Sequence, residues 1–184
     1  VPIKVLDSEG WGYWSNILAA LDYIAIYSQR DDVINLSLGD YPIADCSNEI
    51  PGLRKALLQL GRQRFVVMAA GNNSDDSNKS VPGCMDGRGL VTVAAVNCSL
   101  NCALYSNYGS SVDYVAVGTD VFSTFLLDST SGEWTYMVVS GTSMATAVIS
   151  GVIHATGKLP KKGSNVGCGL PGTTTIVDYP LGLK

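Results

Sequence analysis

The sequence is poor in histidine and in positive charge, and it contains no long hydrophobic run. Among its 184 residues there is one histidine, and 12 basic residues stand against 16 acidic ones, for a formal net charge of -4. No cluster of Lys or Arg provides the positive surface that nucleic acid binding requires. No run approaches the roughly 18 consecutive apolar residues that suggest a membrane-spanning helix. We therefore expect neither a nucleic acid nor a membrane as a partner.

The sequence also lacks an initiator methionine and any paired metal-ligand motif. It begins at Val1 without the charged and then apolar profile of a signal peptide, so we expect that processing or trimming has removed something upstream. Its five cysteines have no second Cys or His pair at zinc-ligand spacing, which makes disulfides the expected use. The odd count implies one free thiol or a partner outside this chain. Together with the glycosylation sequons at Asn78 and Asn97, the cysteines favour a secreted or surface protein.

What the sequence does contain is enough apolar material for one globular domain, since 46% of it is hydrophobic. Short β-branched runs alternate with longer helical patterns, which indicates parallel strands joined by crossover helices. Several of the runs are apolar almost throughout, as strands covered on both faces should be. The predicted strands are residues 3–6, 33–38, 64–70, 91–97 and 114–117. We predict an α/β fold with a mostly parallel sheet flanked by helices.

Three helices are predicted between and after these strands. The first carries apolar residues at three- and four-residue spacing over residues 11–25. The second follows residues 47–48 with Pro51 in its first turn, and its core-facing positions are Leu53, Leu57 and Leu60. The third begins near Thr142, is apolar on nearly all sides and therefore buried, and ends at Gly157.

Several other stretches carry weaker patterns. Residues 128–132 predict an exposed hairpin or loop, and residues 158–184 are weakly patterned and expected to be partly irregular. Residues 167–172 formally fit a dinucleotide-binding fingerprint, but they do not stand between a strand and a helix, so nucleotide binding is not expected. Residues 75–78 lack the spaced ligands of a calcium loop and predict a solvated turn. We therefore predict no metal site, and no motif supports a structural calcium ion.

Ser143 stands at the start of the third predicted helix, directly after a glycine-containing turn. At this position the unpaired N–H groups and the positive end of the helix dipole favour negative charge developing beside the hydroxyl. A lone serine there is more often a helix cap. However, the string Gly-Thr-Ser-Met-Ala of residues 141–145 is similar to the serine signature of the subtilases, the subtilisin-like serine proteases. The resemblance implies that Ser143 is a nucleophile.

Two further segments resemble the subtilases in the same order along the chain. Residues 66–72 read as a buried strand ending in Ala-Ala-Gly-Asn, which resembles the segment that carries the oxyanion-hole asparagine. On that resemblance Asn72 donates a side-chain N–H to the tetrahedral intermediate together with the backbone N–H of Ser143, whereas an isolated Gly-Asn is usually a turn. Residues 32–39 resemble the edge that pairs with an extended peptide substrate. The implied walls of the first specificity pocket are Ser37, Leu38 and Gly39 on one side and Ala69, Ala70 and Gly71 on the other.

The resemblance spans about residues 4–157, and residues 105–109 and 113–118 also agree with it in order and spacing. It implies a three-layer α/β domain that is incomplete at the N-terminus, with residues 1–184 forming part of a catalytic domain. A subtilase needs a histidine base and an aspartate that orients it, and both lie upstream of the part that this chain resembles. Asp7 is interpreted as a surface or loop residue. His154 lies about 16 Å from Ser143 along the same helix, at about 1.5 Å per residue, and cannot serve.

The function implied is that of a serine endopeptidase that hydrolyses peptide bonds through a Ser143 acyl-enzyme. The missing Asp and His would come from an upstream segment, so the expected partners are a polypeptide substrate and that N-terminal part. The alternative is an inactive homologue that binds peptides. No cofactor is required by either function, and the chain alone is expected to be inactive because it lacks the base. Asn73 stands where the family often has an acidic residue, which makes a preference for basic side chains less expected.

Overall fold

The computed structural model describes residues 1–44, 46, 50–128, 132–166 and 174–177. Its helices are α1 (Trp14–Tyr27), α2 (Leu53–Gly61) and α3 (Thr142–Thr156), with a short 3-10 turn at Ser77–Lys79. Its strands are β1 (Val33–Leu36), β2 (Phe65–Ala69), β3 (Leu90–Val96), β4 (Tyr114–Val117), β5 (Val121–Asp128), β6 (Glu133–Val139), β7 (Lys162–Val166) and β8 (Thr174–Val177).

Six of the strands form one sheet in the order β1-β2-β3-β4-β8-β7, and β5 pairs with β6 in a separate antiparallel hairpin. The pairs from β1 to β8 are parallel, and only β7 runs antiparallel to its neighbour. All seven residues of β3 are buried, which fits a strand covered on both faces. The α/β prediction with a mostly parallel sheet is confirmed.

Helices cover the sheet on both faces because successive strand residues point to opposite sides. In β2, Val66 and Met68 pack with the buried leucines of α1 and α2. Val67 instead packs on the other face with Ala145 and Ile149 of α3. The result is the three-layer arrangement. No described helix is long and apolar enough to cross a membrane.

Two sequence predictions about the fold are wrong. Residues 3–6 form no strand: the chain turns at once, because the carboxylate of Asp7 accepts the N–H groups of Glu9 and Trp11. Pro51 precedes α2 instead of lying in its first turn, since Gly52 takes the left-handed conformation (φ 84°) just before the helix. The weakly patterned C-terminal part contains β7 and β8, while residues 167–172 lie outside the described residues.

A disulfide between Cys46 and Cys84 links the chain that follows β1 to the chain that precedes β3. Cys102 is also disulfide-bonded, and Cys98 is free and exposed. The expectation of disulfides is confirmed, and among the described cysteines Cys98 carries a free thiol.

Candidate active site

The segments singled out from the sequence meet at the carboxyl ends of β1 and β2, where ligands bind in open α/β sheets. Ser37 follows β1, Asn72 follows β2, and Ser143 lies in the first turn of α3. Hydrogen bonds join all three segments. The tertiary structure therefore brings together residues that lie as far apart in the sequence as Ser37 and Ser143.

Ser143 is half-buried and contacts the chain that follows β1. The hydroxyl of Ser37 donates to the carbonyl oxygen of Ser143 at 2.9 Å. The Ser143 Oγ lies 3.4 Å from the carbonyl oxygen of Ser37, which is at the outer limit of a hydrogen bond. The backbone of Ser143 is thus held by the Ser37 hydroxyl, whereas the Ser143 hydroxyl itself makes only a weak hydrogen bond.

The turn before Ser143 depends on two glycines. The N–H of Gly141 donates to the carbonyl oxygen of Gly118 at 2.8 Å. A Cβ on Gly118 would lie 2.6 Å from the carbonyl oxygen of Gly141, so no larger residue fits there without moving the backbone. This close approach fixes the start of α3 against the end of β4.

The side chain of Asn72 is oriented by Thr142. Its Oδ1 accepts the backbone N–H and the hydroxyl of Thr142, both at 2.9 Å. Thr142 is fully buried, and its Oγ1 in turn accepts the N–H of Gly71 at 3.2 Å. Because the amide oxygen is held in this way, the Nδ2 group points elsewhere, and it makes no hydrogen bond to the described residues.

The free amide of Asn72 lies beside the start of α3. A Cβ on Gly141 would be 3.5 Å from the Asn72 Nδ2 and 3.8 Å from the backbone nitrogen of Ser143. Backbone N–H groups in the first turn of a helix have no partner within the helix. Two donors of different origin therefore both lie within 4 Å of one point beside Gly141.

Asn107 holds the loop that carries Asn72, and sequence reasoning did not assign it a role. It is 1% exposed, and its Nδ2 donates to the carbonyl oxygen of Ala70 at 2.9 Å. Its Oδ1 accepts the N–H groups of Asn73 and Asp75 at 2.8 and 3.2 Å. The agreement of residues 105–109 with the subtilase pattern was the available signal for this residue.

A cavity of about 330 Å³ adjoins Ser143 and Asn72. Four of the six residues predicted to form the walls of the first specificity pocket line this cavity, namely Leu38, Gly39, Ala69 and Gly71. Ser37 and Ala70 are not among its lining residues: the first contacts Ser143, and the second is fully buried under Asn107. Sequence reasoning missed four further lining residues, which are Asp40, Tyr41, Ser80 and Thr142.

A charged group flanks this cavity at Asp75. The Tyr41 hydroxyl donates to the Asp75 Oδ2 at 2.6 Å, and the Lys79 ammonium lies 2.9 Å from the same oxygen. These two hydrogen bonds, with the Tyr41 bond the stronger, lower the pKa of Asp75 from 3.8 to about 2. The predicted solvated turn at residues 75–78 is thus an ordered turn with an ion pair. Within the described part of the chain, no three His, Cys, Asp or Glu residues form a group able to hold a metal ion.

The acidic and imidazole groups discussed from the sequence lie away from Ser143. His154 is exposed in the last turn of α3, at the opposite end of the helix that begins at Thr142. Asp7 lies in the exposed turn before α1. Since His154 is the one histidine in the sequence, this chain supplies no imidazole base to Ser143.

Comparison with known proteins links this arrangement to one family. Proteinase T of Parengyodontium album is 33% identical over 155 residues, which make up 82% of this chain and 48% of that protein. Thermitase of Thermoactinomyces vulgaris is 32% identical over 171 residues, covering 93% of this chain and 56% of that protein. The chain thus spans about half the length of the curated relatives it matches.

Solved structures give the same result. The proteases from Pseudoalteromonas arctica align with a TM-score of 0.72 and 31% identity, covering 84% of this chain and 49% of that one. A cold adapted subtilisin-like serine proteinase aligns with a TM-score of 0.67 and 28% identity, covering 83% and 50%. The sequence pattern of the Subtilase family matches residues 1–160. This chain belongs to the subtilase family.

Proposed function

We propose that this chain is the nucleophile-bearing part of a serine endopeptidase. The observation that carries the proposal is the free Nδ2 group of Asn72, oriented by Thr142 and lying beside the backbone nitrogen of Ser143. Two preorganised N–H donors next to a serine hydroxyl are the arrangement that stabilises the oxyanion of acyl transfer. The alternative, a module that only binds peptides, is less favoured because relatives such as Proteinase T are proteases by name.

The substrate is a polypeptide that binds along residues 37–39. The ladder between β1 and β2 ends at Leu36, paired with Met68, and Asp40 is bonded to Val81 through both its N–H and its carbonyl. Residues 37–39 lie between the end of this ladder and the pairing of Asp40, and their main chain pairs with no strand of the described sheet. An extended peptide would add to it by β-augmentation, which brings the scissile carbonyl next to Ser143.

In the reaction, a base removes the proton of the Ser143 hydroxyl while Oγ bonds to the scissile carbonyl carbon. The oxyanion accepts hydrogen bonds from the Asn72 Nδ2 and the Ser143 N–H. The C–N bond then breaks, the amine leaves with the proton held by the base, and an acyl-enzyme remains. Water attacks this ester with the help of the same base, which releases the carboxylic acid product and restores Ser143.

The base and the aspartate that orients it come from sequence outside this chain. The relatives extend well beyond the matched region, which makes up 48% of Proteinase T and 56% of Thermitase. Within the described sheet, the outer edge of β1 is unpaired, and an apolar groove of about 550 Å³ runs beside it, lined in part by Val5, Ile24 and Tyr27. This edge has room for the remaining part of the domain.

No cofactor takes part in this chemistry, in keeping with the subtilase family, whose catalysis needs none. We propose that the protein functions outside the cell. The disulfide between Cys46 and Cys84 supports this location, since disulfides persist in oxidising compartments.

The proposal is tested by treating the full-length protein that contains this chain with a fluorophosphonate probe. We expect covalent labelling that Ser143→Ala abolishes and Ser150→Ala preserves. Ser150 is a matched control because it lies on the same helix, with its hydroxyl bonded to Asn35 at 2.9 Å. Labelling that survives Ser143→Ala would rule out Ser143 as the nucleophile. For the isolated chain, we expect no labelling above the Ser143→Ala background.

A further inference from the structure

Ser80 places a buried hydroxyl on the wall of the cavity beside Ser143. The residue is 3% exposed and lines this cavity. Its backbone is satisfied, because its N–H donates to Ser77 and its carbonyl accepts the N–H of Cys84 at 2.7 Å. Its Oγ makes no hydrogen bond to any residue that the structure describes. Buried hydroxyls normally have a partner, so this one is free to bond to a group that enters the cavity.

The position of this hydroxyl is fixed by its neighbours. A Cβ on Gly71 would lie 2.8 Å from the Ser80 Oγ, so the absence of a side chain at Gly71 leaves the hydroxyl its space. The next residue, Val81, is fully buried and exchanges two backbone hydrogen bonds with Asp40 at 2.9 and 3.1 Å. The Ser80 hydroxyl is therefore preorganised, which reduces the entropy lost when it binds a ligand group.

The charge around the cavity is negative. The charges of Lys79 and Asp75 offset each other in their ion pair. Asp40 lines the cavity and is exposed, and its carboxylate accepts only the backbone N–H of Tyr41, at 2.8 Å. Among the described residues no cation lies within ion-pair distance of Asp40. An uncompensated carboxylate at a cavity attracts a cationic ligand group and repels an anionic one.

We propose that Ser80 and Asp40 make this cavity select a lysine or arginine side chain on the acyl side of the scissile bond. The inference rests on the proposed function. The methylene stem of such a side chain lies along Leu38 and Ala69, and its terminal N–H groups donate to the Ser80 Oγ in the field of Asp40. A leucine or phenylalanine side chain would exclude water from the Ser80 hydroxyl without giving it a partner. Asp40 thus replaces the acidic residue whose absence at Asn73 made a basic preference less expected.

The test uses the full-length protein and peptide substrates that differ only in the residue before the scissile bond. We expect kcat/KM for lysine and arginine to exceed that for leucine and phenylalanine roughly tenfold to a hundredfold. Ser80→Ala should lower the ratio of kcat/KM for lysine to that for leucine about tenfold, whereas Asn78→Gln, which removes the same glycosylation sequon and lies outside the cavity lining, should leave it unchanged. Asp40→Asn should lower kcat/KM for the lysine substrate relative to a substrate with glutamine at the same position. Asp31→Asn is the exposed control.

Two results would overturn the inference: a preference of the unaltered protein for leucine or phenylalanine, or a lysine-to-leucine ratio that Ser80→Ala leaves unchanged. Asp40→Asn alters an exposed side chain, so the charge is tested even if Ser80→Ala fails to fold. If the protein hydrolyses none of the peptides and Ser143 does not react with the probe, the proposed function fails. The cavity is then tested by the affinities of peptides ending in lysine or leucine, and equal affinities would overturn the selectivity.

Discussion

The two sides of the candidate site are built from different interactions. On one side, Asn72 is held by the uncharged side chain of Thr142, which is fully buried. On the other, the cavity is flanked by an exposed ion pair between Asp75 and Lys79, to which Tyr41 adds a hydrogen bond. Hydrogen bonds to a fully buried residue such as Thr142 are costly to break, whereas partly exposed ion pairs contribute little. The comparison indicates that the precise geometry lies with Asn72 and that the charged side tolerates change.

The strongest test of this difference is Asn72→Ala in the full-length protein. Loss of a side-chain donor to the oxyanion is expected to lower kcat by about 10²–10³. This is the size of the effect in subtilisin, a member of the same family. Steady-state kinetics measure it, with KM expected to change little. Asn101→Ala is the control, since it removes an exposed amide away from the cavity. Equal losses in the two variants would show that Asn72 has no special role.

A smaller effect is expected from Thr142→Val, which removes the hydroxyl that bonds to the Asn72 Oδ1 and leaves the Gly71 N–H without its acceptor. We expect kcat to fall about tenfold and the free energy of unfolding to fall by about 1–3 kcal/mol. Thr146→Val is the control. It deletes an equally buried hydroxyl on the same helix, which donates to the carbonyl of Thr142 at 2.7 Å.

The two threonine variants separate positioning from stability. Urea unfolding should show a loss in both, whereas kcat should fall only in Thr142→Val. If kcat fell equally in both variants, the contact between Thr142 and Asn72 would be merely structural.

The smallest effect is expected on the charged side. The pKa of Asp75 is lowered to about 2, chiefly by the hydrogen bond from Tyr41 and then by Lys79. The unfolded chain, with a carboxyl pKa near 3.8, takes up this proton first as the pH falls. The contribution of Asp75 to stability is therefore present above about pH 4 and is lost as the pH falls towards 2.

Asp75→Asn should accordingly reduce the difference in the free energy of unfolding between pH 5 and pH 2.5, measured by urea denaturation of the full-length protein. Asp31→Asn, at an exposed carboxylate without such partners, should leave that difference as it is. An equal pH dependence in the Asp75→Asn variant and the unaltered chain would contradict the pKa assignment.

The sequence was sufficient for the part of the fold that depends on local patterns. The apolar runs of β2 and β3 and the apolar face of α3 are visible in the sequence because burial on both sides demands them. Residues 3–6 show the limit of such patterns, since an apolar run does not reveal whether a partner strand is present. The pattern of β7 and β8 was too weak because polar residues and glycine make up most of these short strands.

The candidate site likewise has residues that local sequence motifs predict and residues that they do not. Ser143 and Asn72 were singled out by short motifs, whereas Asn107 had only the agreement of residues 105–109 with the subtilase pattern and Ser80 was not singled out. A polar residue in a loop is usually exposed, and only the tertiary structure shows that these two are buried. Asp40 was missed for a related reason, because its pairing with Val81 joins segments that are distant in the sequence.

The unpaired edge of β1 has a consequence for the behaviour of this chain on its own. A sheet edge with free N–H and carbonyl groups is a template for pairing with another copy, and natural proteins usually cover or interrupt such edges. Within the described part of the sheet, nothing covers Val33–Leu36, and the adjoining groove is largely apolar. The segment that completes the domain would therefore also protect it from aggregation, so that solubility and catalysis would depend on the same contact.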